Sequence, residues 1–235
     1  MSESGSPAIS VVAEPAAGER LELPDGEGVL YRRAFAPADR ARLFAALDRE
    51  TPWQQPIITL YGRRIASPRL SAWYGDPGAV YAYSGLRLEP APWTPTLQCL
   101  RERVESLAGV RFNSVLLNRY RDGRDSMGWH SDDEPELGRN PVIASVSFGA
   151  ARRFLMEHRK RRLRFEWLLE DGDVLVLAGP TQHCWRHHVP KTRESVGPRI
   201  NLTFRRIVGS RDSACPVESS SAILDLPHTN KPGHG

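Results

Sequence analysis

Cysteine is scarce, with three in 235 residues (Cys99, Cys184 and Cys215) and no Cys-x-x-Cys pair. So few, odd in number and widely spaced, they build no disulfide framework and fit a reducing compartment. Long apolar runs are also missing. No stretch approaches the roughly 20 apolar residues that span a bilayer. The N-terminus lacks a basic segment followed by an apolar one, so no secretory signal is expected. No internal repeat is found. Charge of one sign is not extreme either: 32 Lys and Arg against 28 Asp and Glu leave a net charge of +4. A pI near 9.2 is compatible with a polyanionic partner but does not identify one. The expectation is a monomer in the cytoplasm, or in the nucleus if the source is a eukaryote, with no membrane partner.

What is present is enough for one core. Hydrophobic residues make up 40% of the chain, which suits a single large domain. Residues 1–20 and 210–235 are rich in small and polar residues and read as disordered tails. They leave a domain over 21–209. Two segments have helical character. Pro37 to Glu50 opens with a proline suited to a first helical turn and carries Leu43, Phe44 and Leu47 on one face. Pro95 to Ala108 spaces Leu97, Leu100, Val104 and Leu107 by threes and fours, and Gly109 ends it. From Phe112 the period falls to two. Strands are expected at Phe112–Tyr120, Val142–Phe148, Arg152–His158, Arg162–Leu168, Asp173–Leu177, His183–Val189 and Arg199–Ile207. Many short strands without alternating helices imply a mainly β (α+β) protein, an antiparallel sandwich or barrel with the helices over one face. Residues 52–93, dense in Trp, Tyr, Pro and Gly, read as hairpins or loops rather than as a second core.

Two clusters on these strands carry chemistry. In extended chain, residues i and i+2 face the same way, so His130 and Asp132 aim an imidazole and a carboxylate at one point. A third ligand must come from elsewhere, and His183, His187 and His188 are the candidates. Two histidines and a carboxylate leave open sites on a metal, as in non-haem iron(II) oxygenases. The second cluster is the strand at 199–207. Arg199, Asn201, Thr203 and Arg205 share one face, and Ile200, Leu202 and Phe204 the other. The polar face is either a solvated edge or the wall of a cavity for an anion. Two guanidiniums suit a dicarboxylate such as 2-oxoglutarate. Asn118 and Tyr120 share a face on the strand at 112–120 and could bond the same small acid.

Four stretches, N-R-Y-R-D-G-R-D-S-M-G-W-H-S-D-D-E, P-V-I-A-S-V-S-F-G-A, T-Q-H-C-W-R-H-H-V-P-K and P-R-I-N-L-T-F-R, follow one another in the chain. In this order they resemble the AlkB family of iron(II)- and 2-oxoglutarate-dependent dioxygenases over about Leu60 to Ile207. The resemblance implies a double-stranded β-helix, or jelly-roll, over 112–207. It implies iron(II) on His130, Asp132 and His187, with 2-oxoglutarate and dioxygen as co-substrates. Asn118, Tyr120, Arg199, Asn201, Thr203 and Arg205 would form the 2-oxoglutarate pocket. Asp133 would contact the damaged base. Residues 52–93 resemble a nucleotide-recognition lid, in which Tyr81 and Tyr83 offer stacking surfaces and Tyr83 stacks on the flipped base. Tyr61 would fill the gap left behind, where the family carries aliphatic residues or phenylalanine. Arg63, Arg64 and Arg69 would face phosphates. The activity implied is removal of methyl groups from 1-methyladenine and 3-methylcytosine in DNA or RNA, yielding succinate, carbon dioxide and formaldehyde. The same oxygenase chemistry on RNA or protein, and a non-catalytic nucleic-acid-binding jelly-roll, are the competing expectations.

Overall fold

The computed structural model describes residues 17–60, 62–79, 81–83 and 86–208. The stretches 1–16 and 209–235, which hold most of both expected tails, lie outside them. In chain order the elements begin with β1 (Glu19–Arg20), β2 (Glu27–Tyr31), α1 (Pro37–Glu50), β3 (Ile57–Leu60) and β4 (Arg63–Ala66). Next come β5 (Leu70–Gly75), β6 (Tyr81–Tyr83), β7 (Leu86–Leu88), α2 (Pro95–Ala108), β8 (Ser114–Tyr120) and β9 (Met127–His130). The remainder are β10 (Ile143–Gly149), β11 (Arg152–His158), β12 (Arg164–Leu169), β13 (Val174–Ala178), α3 (Thr181–Cys184), β14 (Trp185–Val189) and β15 (Arg199–Arg205). Seven strands form one sheet in the order β1-β2-β13-β10-β15-β8-β5, and four form a second in the order β12-β11-β14-β9. Two hairpins, β3–β4 and β6–β7, stand apart. This is the jelly-roll expected from the sequence.

Period two decides which side chains meet. Along β13, Val174 and Val176 turn to one cluster while Leu175 and Leu177 turn to the other. The first cluster lies on the large sheet's outer face, where Val146, Phe148, Ile200, Leu202 and Phe204 meet Leu43 and Leu47 of α1 and Leu97, Leu100 and Val104 of α2. The second lies between the sheets and joins Leu175, Leu177 and Tyr120 to Phe154, Met156, Trp185 and Val189. All seven residues of β15 are therefore buried. With β10 on one side and β8 on the other, β15 is a central strand, and its polar face looks inward between the sheets. The solvated-edge alternative for that face is excluded.

Both helices have the bounds read from the sequence. Pro37 opens α1. The Thr94 hydroxyl caps α2 by accepting from Leu97 N at 3.2 Å, and Gly109 closes it in the left-handed region at φ 69°. Four readings need correction. The reading of 52–93 as hairpins or loops holds for β3–β4 and β6–β7 but missed β5, which pairs with β8 along its whole length and buries Trp73 and Tyr74 on opposite sides. No strand was read at 27–31, where β2 extends the large sheet past β13. The expected strand from His183 begins instead with a helical turn, α3, and extends only from Trp185. Glu19 and Arg20, inside the stretch read as a tail, pair with β2.

Phe148 is fully buried, with its ring centroid 5.3 Å from that of Phe35. Phe148→Ala is expected to cost about 3–5 kcal/mol, the usual loss for a large core truncation. Urea unfolding of the two proteins measures it, and a loss under about 1 kcal/mol would contradict the assignment of β10 to the main core.

Candidate metal and dicarboxylate site

β9 and β14 are neighbours in the small sheet, and their register sets His130 opposite His187. The two rings meet edge to face with centroids 4.1 Å apart. Asp132 follows just beyond the end of β9, and its carboxylate reaches to 4.0 Å from His130 Nε2. One ligand atom from each of His130, Asp132 and His187 lies within 4.8 Å of the others. Nδ1 of His130 is 2.9 Å from the Gly128 carbonyl, which makes it the protonated nitrogen and leaves Nε2 as the lone-pair donor. The other two histidines are elsewhere. His188 faces the opposite side of β14, stacks on Trp129 at 4.7 Å and bonds the Met127 carbonyl through Nδ1. His183 sits exposed on α3. Strand parity thus separates His187 from His188.

The charge states suit a divalent cation. Burial pushes the His187 imidazole down to about 3, with His130 adding to the effect and Asp132 opposing it. Burial likewise lowers His130. Burial alone would raise the Asp132 carboxyl, but Arg205 and the two histidines overcome it and hold the group at about 2. Arg205 Nη2 donates to Asp132 Oδ1 at 2.8 Å, with both side chains at most 4% exposed. Neutral imidazoles and an ionised carboxylate are the forms in which these groups bind metals.

Beside the trio is a cavity of about 530 Å³ including its open mouth, lined by Asn118, Tyr120, Arg199, Asn201, Thr203 and Arg205 among others. Arg199 and Arg205 stand at opposite ends of β15, yet both side chains reach this cavity. Arg199 is 1% exposed and donates from Nη2 to Ser147 Oγ at 2.9 Å, while Nε and Nη1 have no partner among the described residues. A buried guanidinium with unmet N–H groups calls for an anion, and a carboxylate matches its fork. The Tyr120 ring lies 5.2 Å from that guanidinium. Asn201 is less available: its amide donates to Ser145 Oγ and the Val146 carbonyl and accepts from Thr203 Oγ1. The site residues therefore fit both an iron(II) ion and a dicarboxylate.

Other expected residues fare differently. Asp133, next in the chain to Asp132, is exposed and paired with Arg159 at 3.0 Å. Arg63 and Arg64 are exposed on β4. Arg69 is not a surface group: it is 6% exposed and donates from Nε to Asn118 Oδ1 at 2.8 Å. Its alternation with Leu70 placed it in β5's path, a strand the sequence reading missed. Tyr61 lies outside the described residues, as do the side chains of Tyr81 and Tyr83. Sequence reasoning also missed Arg159, Ser145 and Gln182, none of which belongs to a recognisable ligand spacing.

Two antiparallel sheets that enclose a two-histidine, one-carboxylate face and a dibasic pocket define a non-haem iron oxygenase of the jelly-roll class. The family model of the 2OG-Fe(II) oxygenase superfamily matches residues 28–205. The chain is 38% identical over 204 residues to the DNA oxidative demethylase ALKBH2 of Bos taurus, covering 82% of this chain and 73% of that one. It is 43% identical over 177 residues to the alpha-ketoglutarate-dependent dioxygenase alkB homolog 3 of Bos taurus, covering 70% and 60%. The solved structure of OsALKBH1 shares the fold with a TM-score of 0.61 at 17% identity, covering 80% of this chain and all of that one. The chain belongs to the AlkB family of 2OG-Fe(II) dioxygenases, and it is an enzyme that uses iron(II), 2-oxoglutarate and dioxygen. No described helix is long and apolar enough to cross a membrane.

The charge states carry a pH prediction. His187, at about 3, and Asp132, at about 2, are in their metal-binding forms across this range, and burial lowers His130 as well, so protons compete less with the metal than they would at two ordinary imidazoles. Affinity for cobalt(II), titrated without oxygen, is expected to fall less than about tenfold between pH 7.5 and 5.5. Two imidazoles at the ordinary value of about 6.5 would each lose about tenfold, a combined fall of about 100-fold that would contradict these assignments.

Proposed function

We propose that this enzyme oxidatively removes methyl groups from N-alkylated bases, 1-methyladenine and 3-methylcytosine, in DNA and in RNA. The observation that carries the reading is the meeting, in one cavity, of the His130–Asp132–His187 face and the Arg199 guanidinium with its unmet N–H groups. The named activity of the ALKBH2 relative supplies the substrate class. His130, Asp132 and His187 hold iron(II). Arg199, with Tyr120 beside it, takes the far carboxylate of 2-oxoglutarate. Arg205 lines the same cavity and, bonded to Asp132, would hold that ligand ionised. When bound, iron(II), 2-oxoglutarate and dioxygen would supply the oxidation: dioxygen is the oxidant, and 2-oxoglutarate is converted to succinate and carbon dioxide as one oxygen atom is delivered to the methyl carbon. Loss of that carbon as formaldehyde returns the base.

The chain's own groups position and exclude. Leu175, Leu177, Phe154 and Val189 give the cavity apolar walls that keep bulk water from the reacting centre. Asp133, next to Asp132, is an anion suited to a base that carries a positive charge when methylated at these nitrogens. Arg159, Lys160, Arg161 and Arg162 stand exposed at the turn between β11 and β12, and Arg159 reaches Asp133. A basic tip of this kind suits a phosphate backbone. Tyr61, Tyr81 and Tyr83 belong to the lid that holds the flipped base. The enzyme acts as a monomer in whichever compartment, cytoplasm or nucleus, presents the damaged strand.

The reading is tested by incubating the protein with iron(II), ascorbate and 2-oxoglutarate against methylated single- and double-stranded DNA, RNA and a methylated peptide, read by mass spectrometry. Loss of 14 mass units from an oligonucleotide is the expected result. Demethylation of the peptide alone would overturn the nucleic-acid assignment. For the co-substrate, Arg199→Ala is expected to raise the 2-oxoglutarate KM by about one to two decades while iron still binds, the loss of a charge-assisted pair of about 1.5–3 kcal/mol. An unchanged KM would remove Arg199 from the pocket.

A further inference from the structure

Asp132 is the one member of the metal face that no strand holds. β9 ends at His130, so the backbone N–H of Asp132 has no place in a ladder, although the residue is only 3% exposed. A buried N–H needs a partner. It finds one in Gln182, whose Oε1 accepts from Asp132 N at 3.0 Å. Gln182 is 1% exposed and does not line the cavity, so it works from behind the site. Its own backbone position is fixed next door. The Thr181 hydroxyl accepts from Glu27 N at 2.8 Å and lies 2.5 Å from the Ala178 carbonyl, which pins α3 to β2 and to the end of β13. Three residues on, the Trp185 carbonyl accepts from Ser131 Oγ at 2.9 Å, and Trp185 Nε1 donates to the Pro24 carbonyl. One short turn thus grips Ser131 and Asp132 from across the sheet, and the same segment runs on to His187.

Gln182 Nε2 is buried without a partner among the described residues. An unmet amide donor costs stability, and an apolar side chain of that shape would avoid the cost. Among the described residues, the one hydrogen bond of the Gln182 side chain is the one to Asp132. We infer that Gln182 is a positioning residue for the metal ligand Asp132, setting the backbone from which the carboxylate reaches the ion. The inference rests on the reading of Asp132 as a ligand. Groups that orient ligands typically contribute 10- to 100-fold to metal affinity.

The test uses the whole chain, with cobalt(II) titrated by absorbance in the absence of oxygen and the melting temperature of the metal-free protein measured in parallel. Gln182→Met keeps the shape and removes the acceptor, while Gln182→Glu keeps an acceptor oxygen. The expected result is a 10- to 100-fold loss of cobalt(II) affinity in Gln182→Met and a loss under about 5-fold in Gln182→Glu. Should Gln182→Met lack the wild-type circular dichroism spectrum, Gln182→Asn, too short to reach Asp132, replaces it with the same expectation. Unchanged affinity with only a lower melting temperature would overturn the inference and leave Gln182 a packing residue, as would equal losses in the Met and Glu variants. Asp132→Ala separates the two layers. If that variant binds cobalt(II) as tightly as the wild type, the ligand assignment itself is wrong and the role of Gln182 falls with it.

Discussion

The bond from Arg205 to Asp132, deep between the two sheets, is the constraint on which the rest of the site depends. A carboxyl as buried as Asp132 would ordinarily keep its proton. A protonated carboxyl is a poor ligand, so the site works only if an opposing charge holds the group ionised. Arg205 provides that charge, and Asp132 stays at about 2 despite its burial. Desolvating two ions is costly, and buried pairs of this kind are weak sources of stability. The pair is better understood as tuning a ligand than as bracing the fold. The same arginine also lines the cavity, so one side chain touches both halves of the candidate site.

The fold serves this arrangement through its layering. β15 can place four polar groups in a cavity because its other face, Ile200, Leu202 and Phe204, is locked against the helices. β10 and β8 flank it, so no residue of β15 lies at an open edge. The small sheet brings the histidines from the opposite wall, with His130 and His187 in register across β9 and β14. The two histidines and the dibasic wall thus come from different sheets, and the candidate site exists only when the sheets pack. Arg152, 3% exposed, strengthens the closed end by donating to the carbonyls of Asp122, Asp125 and Pro190.

Much of this was legible in the residues. Alternation on β15 and β8 separated the polar face from the core face, though not whether the polar face met solvent or a cavity, and the helices were readable from proline starts and aliphatic stripes. What escaped was set by tertiary contact rather than by pattern. β2, with Gly28 and Glu27 in a five-residue strand, is too short to show a period, and it is a strand because β13 offers it an edge. β5 was hidden by the Trp, Tyr and Gly around it, and with it went the inward course of Arg69. Sequence spacing left His183, His187 and His188 open; the register of β14 against β9 separates them. Gln182 was invisible because its importance lies in one hydrogen bond to a residue 50 positions away.

The most direct test of the account is the stoichiometry of the reaction on a single-stranded oligonucleotide carrying one 1-methyladenine. Succinate, formaldehyde and restored adenine are measured together, for the wild type and for His187→Ala. The account predicts one succinate and one formaldehyde for each adenine restored by the wild type, and none of the three from the variant. Adenine restored without succinate, or restored by His187→Ala at the wild-type rate, would contradict it.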